Sequence, residues 1–180
     1  MQVKLTDQNN QTFGGTTWGE NITHTAQPGK MVLCSVTVIH FYSDPILAVL
    51  MNPAHANFTN PLARRFVPHG KIISDGTKSG CKSGTTFEIV ELPEISLDAK
   101  IHFGILCALE VYKEKSFVTW AKNWLDGTDR TKKSAAAAAA AYATYATAAY
   151  ATYAAAAKNR INFLTLAKKA IRAEAQMSIK

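Results

Sequence analysis

From Ser134 to Ala157, 16 of 24 residues are alanine, and the rest are four tyrosines, three threonines and Ser134. Alanine is the best helix former, so this stretch predicts a helix and constrains how that helix can be covered. At about 100° per residue, Tyr142, Tyr145, Tyr150 and Tyr153 fall in one stripe. Thr144, Thr147 and Thr152 take the opposite arc, while Phe163, Leu164 and Ile171 continue the tyrosine stripe. Small residues admit a second helix closely, and tyrosine buries its ring while keeping its hydroxyl wet. The seam therefore predicts packing against the protein's own helices or self-association into a homo-oligomer. With Asp129 or Thr131 as cap, the helix is expected from about 130 to 174. At ~1.5 Å per residue it would span roughly 70 Å. It must therefore bend, break near Lys158-Asn159, or project toward a partner.

Charge separates this tail from the rest. Residues 1–129 hold 11 Lys/Arg and 12 Asp/Glu, whereas residues 130–180 hold 9 Lys/Arg and the single acid Glu174. The basic tail can meet an anionic partner, nucleic acid included, or keep an alanine-rich rod in solution. No apolar run reaches the length of a membrane span, and the start MQVKLTDQNN lacks the pattern of a signal peptide. A cytoplasmic protein with no membrane partner is expected. Cys34, Cys81 and Cys107 are odd in number and widely spaced, which predicts reduced, mostly structural thiols.

The texture predicts an α+β chain: a β-rich head over 1–95, then a helical region over 96–180. Val3–Leu5, Met31–Phe41, Arg65–Ile73 and Thr85–Glu91 alternate and branch as strands do. Pro28-Gly29, His69-Gly70 and Asp75-Gly76 punctuate them. One short helix interrupts the head. Ser43 or Asp44 can cap it, Pro45 suits its first turn, and Asn52-Pro53 should end it. Past Leu92-Pro93, a helix from Ser96 or Asp98 to about Tyr112 is expected, with Ile101, Ile105, Leu109 and Val111 buried. Another from about Ser116 to Leu125 presents Phe117, Trp120, Ala121 and Trp124, with Gly127 as its stop.

No phosphate-binding loop, dinucleotide fingerprint, nucleophile elbow or HExxH motif is present. No cofactor and no metal are expected. A Cys34–His40 nucleophilic pair fails if both lie on one strand, where six residues span about 20 Å. The candidate ligand-binding residues are Trp18, Glu20, His24, His40, Tyr42, Asn52, His55, Arg64 and Arg65. They recur at turns and strand ends, where aromatic rings can stack on a flat ligand and Asn and His can read polar edges. Lys71, Lys78 and Lys82 could neutralise phosphates nearby. The same side chains could instead satisfy the backbone of a loop-rich head.

Several blocks carry a resemblance: Trp18-Gly19-Glu20 with His24, Leu33-Cys34 before Ile39-His40-x-Tyr42-x-x-Pro45, Asn52-Pro53-x-His55-Ala56, Lys78-x-Gly80-Cys81, and Trp124-Leu125-x-Gly127-x-Asp129-Arg130-Thr131. Together with Leu92–Ile95 and Phe103–Val111, they resemble an uncharacterised family of small proteins from bacteriophages and gut-bacterial mobile elements, whose members also carry alanine-rich tails. The chain departs from that pattern at Ser35-Val36-Thr37 and Ala63-Arg64-Arg65. The resemblance implies phage or prophage origin and brings no activity with it. By analogy, the expected function is that of a non-enzymatic accessory protein with a counter-defence role. It would bind a host factor or sequester a small anionic ligand such as a signalling nucleotide, and assemble through Tyr142, Tyr145, Tyr150, Tyr153, Phe163 and Leu164. Two alternatives stand beside it: nucleic-acid binding through the basic C-terminal helix, and a nucleotide-directed enzyme at His24, His40 and His55.

Overall fold

Asp75-Gly76 lies in a turn closed by the Asp75 side chain. One carboxylate oxygen of Asp75 accepts hydrogen bonds from the Thr77 and Lys78 amides at 2.9 and 3.0 Å and from the Thr77 hydroxyl at 2.7 Å. This turn joins two long antiparallel strands, β4 (Leu62–Ser74) and β5 (Ser79–Val90). The other strands are β1 (Val3–Thr6), β2 (Ile22–Thr25) and β3 (Ile39–Phe41). The structure, a computed structural model, describes residues 1–134, 136–137 and 161–177. The fold is α+β: an antiparallel sheet in the N-terminal half and helices after it. The chain divides into two compact units, Met1–Pro93 and Glu94–Lys180.

In the first unit β1 pairs with β4, and β5 gives its far edge to β3 around Cys81 and to β2 around Gly84. Val3 and Tyr42 exchange both backbone hydrogen bonds at 2.9 Å, closing β1, β4, β5 and β3 into a ring. Trp18, Ile39, Phe41, Phe66 and Cys81 form a core cluster. A Cβ at Gly84 would stand 2.2 Å from Cζ of Phe66, so only glycine lets that ring cross the strand. Successive side chains of β1 point to opposite faces. All four of its residues are buried, so both faces are covered. Helix α1 (Pro45–His55), capped by Asp44, contacts β1 and buries Leu47, Ala48, Leu50 and Met51.

Four expectations for this unit are corrected. The strand expected over Met31–Phe41 is a strand only at Ile39–Phe41. Before it, Cys34 takes a left-handed φ of 61°. The Ser35 and Thr37 hydroxyls bond to Val32 and Lys30 carbonyls at 2.8 Å, competing with a ladder. Strand β2 was not expected at all. Pro53 lies inside α1 rather than ending it, because only its last turn loses a donor there. His69-Gly70 is no turn; it sits within β4, where the register with β5 shifts between His69 and Ile72.

The second unit is built around α2 (Leu97–Val111), capped by Ser96, with every residue from Ile101 to Cys107 buried. A helix apolar on all sides belongs in an interior; Leu109 and Val111 are half-buried. Helix α3 (Lys115–Leu125), capped by Glu114, lays Phe117, Trp120, Ala121 and Trp124 against Ile101 and Ile105. Gly127, at φ 82°, follows it. Helix α4 (Phe163–Met177) contacts α2 and buries Phe163, Ala167 and Ala170, spaced along one face. The helix expected over about 130–174 is not one continuous rod. Residues 161–162 are non-helical, and Asn162 caps α4 by accepting the Thr165 amide at 3.0 Å. Tyr142, Tyr145, Tyr150 and Tyr153 lie outside the described residues. Phe163 is interior to the unit and Leu164 half-buried. Among the described residues no helix is long and apolar enough to cross a membrane.

Candidate ligand-binding site

The nine residues expected to bind a ligand do not form one site. Register on β5 separates the histidines, since His24 is opposite Gly84 and His40 opposite Gly80. Four residues at ~3.3 Å put them about 13 Å apart along the strand. His24 packs edge-on against Trp18 at 4.5 Å and hydrogen-bonds the Thr17 carbonyl at 2.8 Å. Trp18 itself is core.

Four others serve the scaffold or the surface. The Asn52 amide brackets the chain after α1, donating to the Phe58 carbonyl at 2.9 Å and accepting its amide at 3.1 Å. Arg64 is buried, with Nε and one terminal nitrogen on Asn10 Oδ1 at 3.2 and 2.9 Å and the other on the Phe87 carbonyl at 3.1 Å. Arg65 lies at the surface, paired with Glu88 at 2.6 Å and stacked over Phe87. Glu20 is exposed.

His40, Tyr42 and His55 do come together. Strand β3 buries Ile39 and Phe41 and leaves His40 half-buried between them. The Tyr42 hydroxyl lies 3.0 Å from Nδ1 of His55, the last residue of α1, and the two rings stack at 5.7 Å. Nε2 of His40 accepts the Cys34 amide at 2.9 Å, so that imidazole nitrogen carries no proton. This overturns the distance expected between Cys34 and His40, because the turn before β3 folds the chain back. The contact reaches the Cys34 backbone, and the Cys34 side chain is exposed.

Burial is the first cause of the perturbed acidities in this group, and neighbouring charges are the second. Burial, then Lys78 and Lys4, hold the His40 imidazolium down to about 4. Burial, then Lys78 and His40, hold His55 down to about 3. The Tyr42 phenol is pushed up, chiefly by burial and then by Asp75. Both rings are therefore neutral near pH 7, in the field of an ammonium on the β4–β5 turn. Asp75, an acid that acts on His40 and Tyr42, has an oxygen engaged by three donors of its own turn. Lys78 had been considered only as a general phosphate neutraliser. Lys4 and Asp75 gave no signal, because their place here follows from strand register and ring closure.

Among the described residues no group of three or more His, Cys, Asp or Glu is placed to hold a metal ion. Compared with protein-family models, curated proteins and solved structures, the chain matches none.

Proposed function

We propose that the protein acts by binding, and that its N-terminal unit takes a small anionic ligand at His40, Tyr42, His55 and Lys78. The observation that supports this reading most is the contact of Tyr42 with His55 at 3.0 Å, with His40 beside it and both imidazoles in the field of the Lys78 ammonium. An anion there meets the Lys78 ammonium and the Nδ1–H that His40 keeps while its Nε2 accepts the Cys34 amide. The stacked Tyr42 and His55 rings suit a flat base, which makes a signalling nucleotide the ligand class of choice. In the setting the sequence resemblance implies, a phage accessory protein in a bacterial cytoplasm, such capture would serve counter-defence. Self-association through the tyrosine seam would multiply the sites.

Thermal shift and calorimetry with cyclic and linear nucleotides test this directly. A nucleotide should raise Tm, and Lys78→Met should weaken its binding about tenfold or more, as loss of a charge-assisted contact does. Equal binding by Lys78→Met would remove the site. The enzyme alternative loses its three-histidine constellation to the β5 register. Nucleic-acid binding keeps one specific observation: α4 exposes Lys168, Lys169 and Arg172 away from its buried face. Duplex affinity falling steeply with salt, and lost when these three are changed to Gln, would favour it.

A further inference from the structure

The inner face of β1 carries an arrangement that the proposed ligand site does not use. Lys4 and Thr6 stand two residues apart on β1 and so share a face. Arg64 lies directly across from Lys4 in the β1–β4 register, which places it on the same face. Trp18 covers Lys4, with Nζ 5.3 Å from the ring centroid. Exposures are 8% for Lys4, 0% for Thr6, 3% for Trp18 and 9% for Arg64.

Two cations are thus buried on one face, and the Cys81 thiol is the titratable group that acts on Lys4. Among the described residues the ion pairs are Arg65–Glu88 and Arg130–Asp98, and neither involves Lys4 or Arg64. Lys4 Nζ donates to the His40 carbonyl at 2.7 Å, leaving two of its three protons for other acceptors. Arg64 is held by the Asn10 side chain and the Phe87 carbonyl. Carbonyl oxygens satisfy donors without neutralising charge, and an uncompensated buried charge is costly. Two further buried polar atoms of this face, Trp18 Nε1 and Thr6 Oγ1, have no hydrogen-bond partner in the protein. The indole can only donate, and the hydroxyl can donate.

We propose that this face binds a small monovalent inorganic anion of the halide class, held by Lys4 with Trp18, Thr6 and Arg64 around it. The unmatched groups are two donors and the Lys4 ammonium, so a water molecule would fill the hydrogen bonds yet leave the Lys4 charge uncompensated. A singly charged, weakly hydrated ion sheds its water more readily than phosphate or sulfate does, which suits a site this buried. Burial pulls the Lys4 ammonium down to about 8, and a bound anion should restore it upward.

The full chain can be unfolded thermally at constant ionic strength while sodium bromide or chloride replaces sodium gluconate. Saturable halide binding should raise Tm by about 4 °C or more. Lys4→Met, which keeps the stem and removes the charge, should abolish that rise, and Lys78→Met should leave it intact. An identical Tm in gluconate and halide, or a halide effect unchanged in Lys4→Met, would overturn the proposal. If Lys4→Met does not fold, bromide-soaked crystals of the unaltered protein decide the matter. An anomalous peak within contact distance of Lys4 Nζ supports the site, and water alone at that position sinks it.

Discussion

The two units reach a buried interior by different means. In Met1–Pro93, side chains fasten parts of the chain far apart in sequence: Lys4 to the His40 carbonyl, Arg64 to the Asn10 side chain and the Phe87 carbonyl, Thr86 to the Gly19 carbonyl, and Ser83 to the His24 carbonyl. In Glu94–Lys180 most described polar side-chain bonds are local caps, from Ser96, Glu114, Asp129, Thr131 and Asn162. Apolar periodicity does the rest, through α2 and the seams laid on it. A sheet with a polar interior depends on register, and a helical cluster depends on stripes. Only the first kind brings imidazoles, an indole and ammonium groups together at defined distances, which is why the candidate sites lie there.

The largest test removes a ring from each interior. Phe66→Ala and Phe103→Ala should each cost about 3–5 kcal/mol by denaturant unfolding, since both rings are fully buried. A loss below about 1 kcal/mol for Phe66→Ala would mean that the polar fastening alone sustains the first unit, and the contrast would have to be redrawn. Next comes the bracket after α1. Asn52→Ala leaves the half-buried amide and carbonyl of Phe58 without these partners and should cost about 1–3 kcal/mol. Asn162→Ala, a cap in the helical unit, should cost about 1 kcal/mol. If the two losses are equal, the bracket is no more than a cap.

Acid should discriminate between the units. Below pH 6.5 an unfolded chain protonates His40 and His55, whereas the folded chain resists until about 4 and 3. Stability contributed by these rings should therefore fall as pH drops from about 6.5 toward 3, since the unfolded state then binds more protons. His40→Gln with His55→Gln should flatten that limb in a chemical-denaturation series. Alkali tests the same unit from the other side. The Lys4 ammonium releases its proton at about 8 in the folded chain, against 10.5 when free. Stability should rise across that window, because the unfolded chain then binds more protons, and Lys4→Met should remove the rise.

What was legible in the sequence follows the same division. Ser96, the Phe117–Trp124 spacing and Gly127 located α2 and α3, because a helix writes its boundaries and buried face within a few residues. Asp44-Pro45 and Asp75-Gly76 were legible for the same local reason. The turn over 31–38, the bulge after His69 and strand β2 were not, since each depends on what its neighbours in the sheet allow. The histidine grouping failed on register: β3 and β2 share β5 at positions four residues apart. Arg64 and Asn52 read as ligand contacts, yet their partners Asn10, Phe87 and Phe58 hold them as scaffold. The tail was legible in part. A break near Lys158-Asn159 was one of the outcomes its length required, and the cap that places the start of α4 at Asn162 shows in its hydrogen bond to Thr165.

The bridge between Val3 and Tyr42 closes a ring whose first strand lies at the very start of the chain. Its main partner, Arg65 and its neighbours in β4, is made about 60 residues later. At roughly 5–20 residues per second on the ribosome, β1 waits several seconds for that edge, with Val3 and Leu5 uncovered meanwhile. During that wait β1 is open to misassociation, and a slowly translated stretch ahead of β4 would lengthen the exposure.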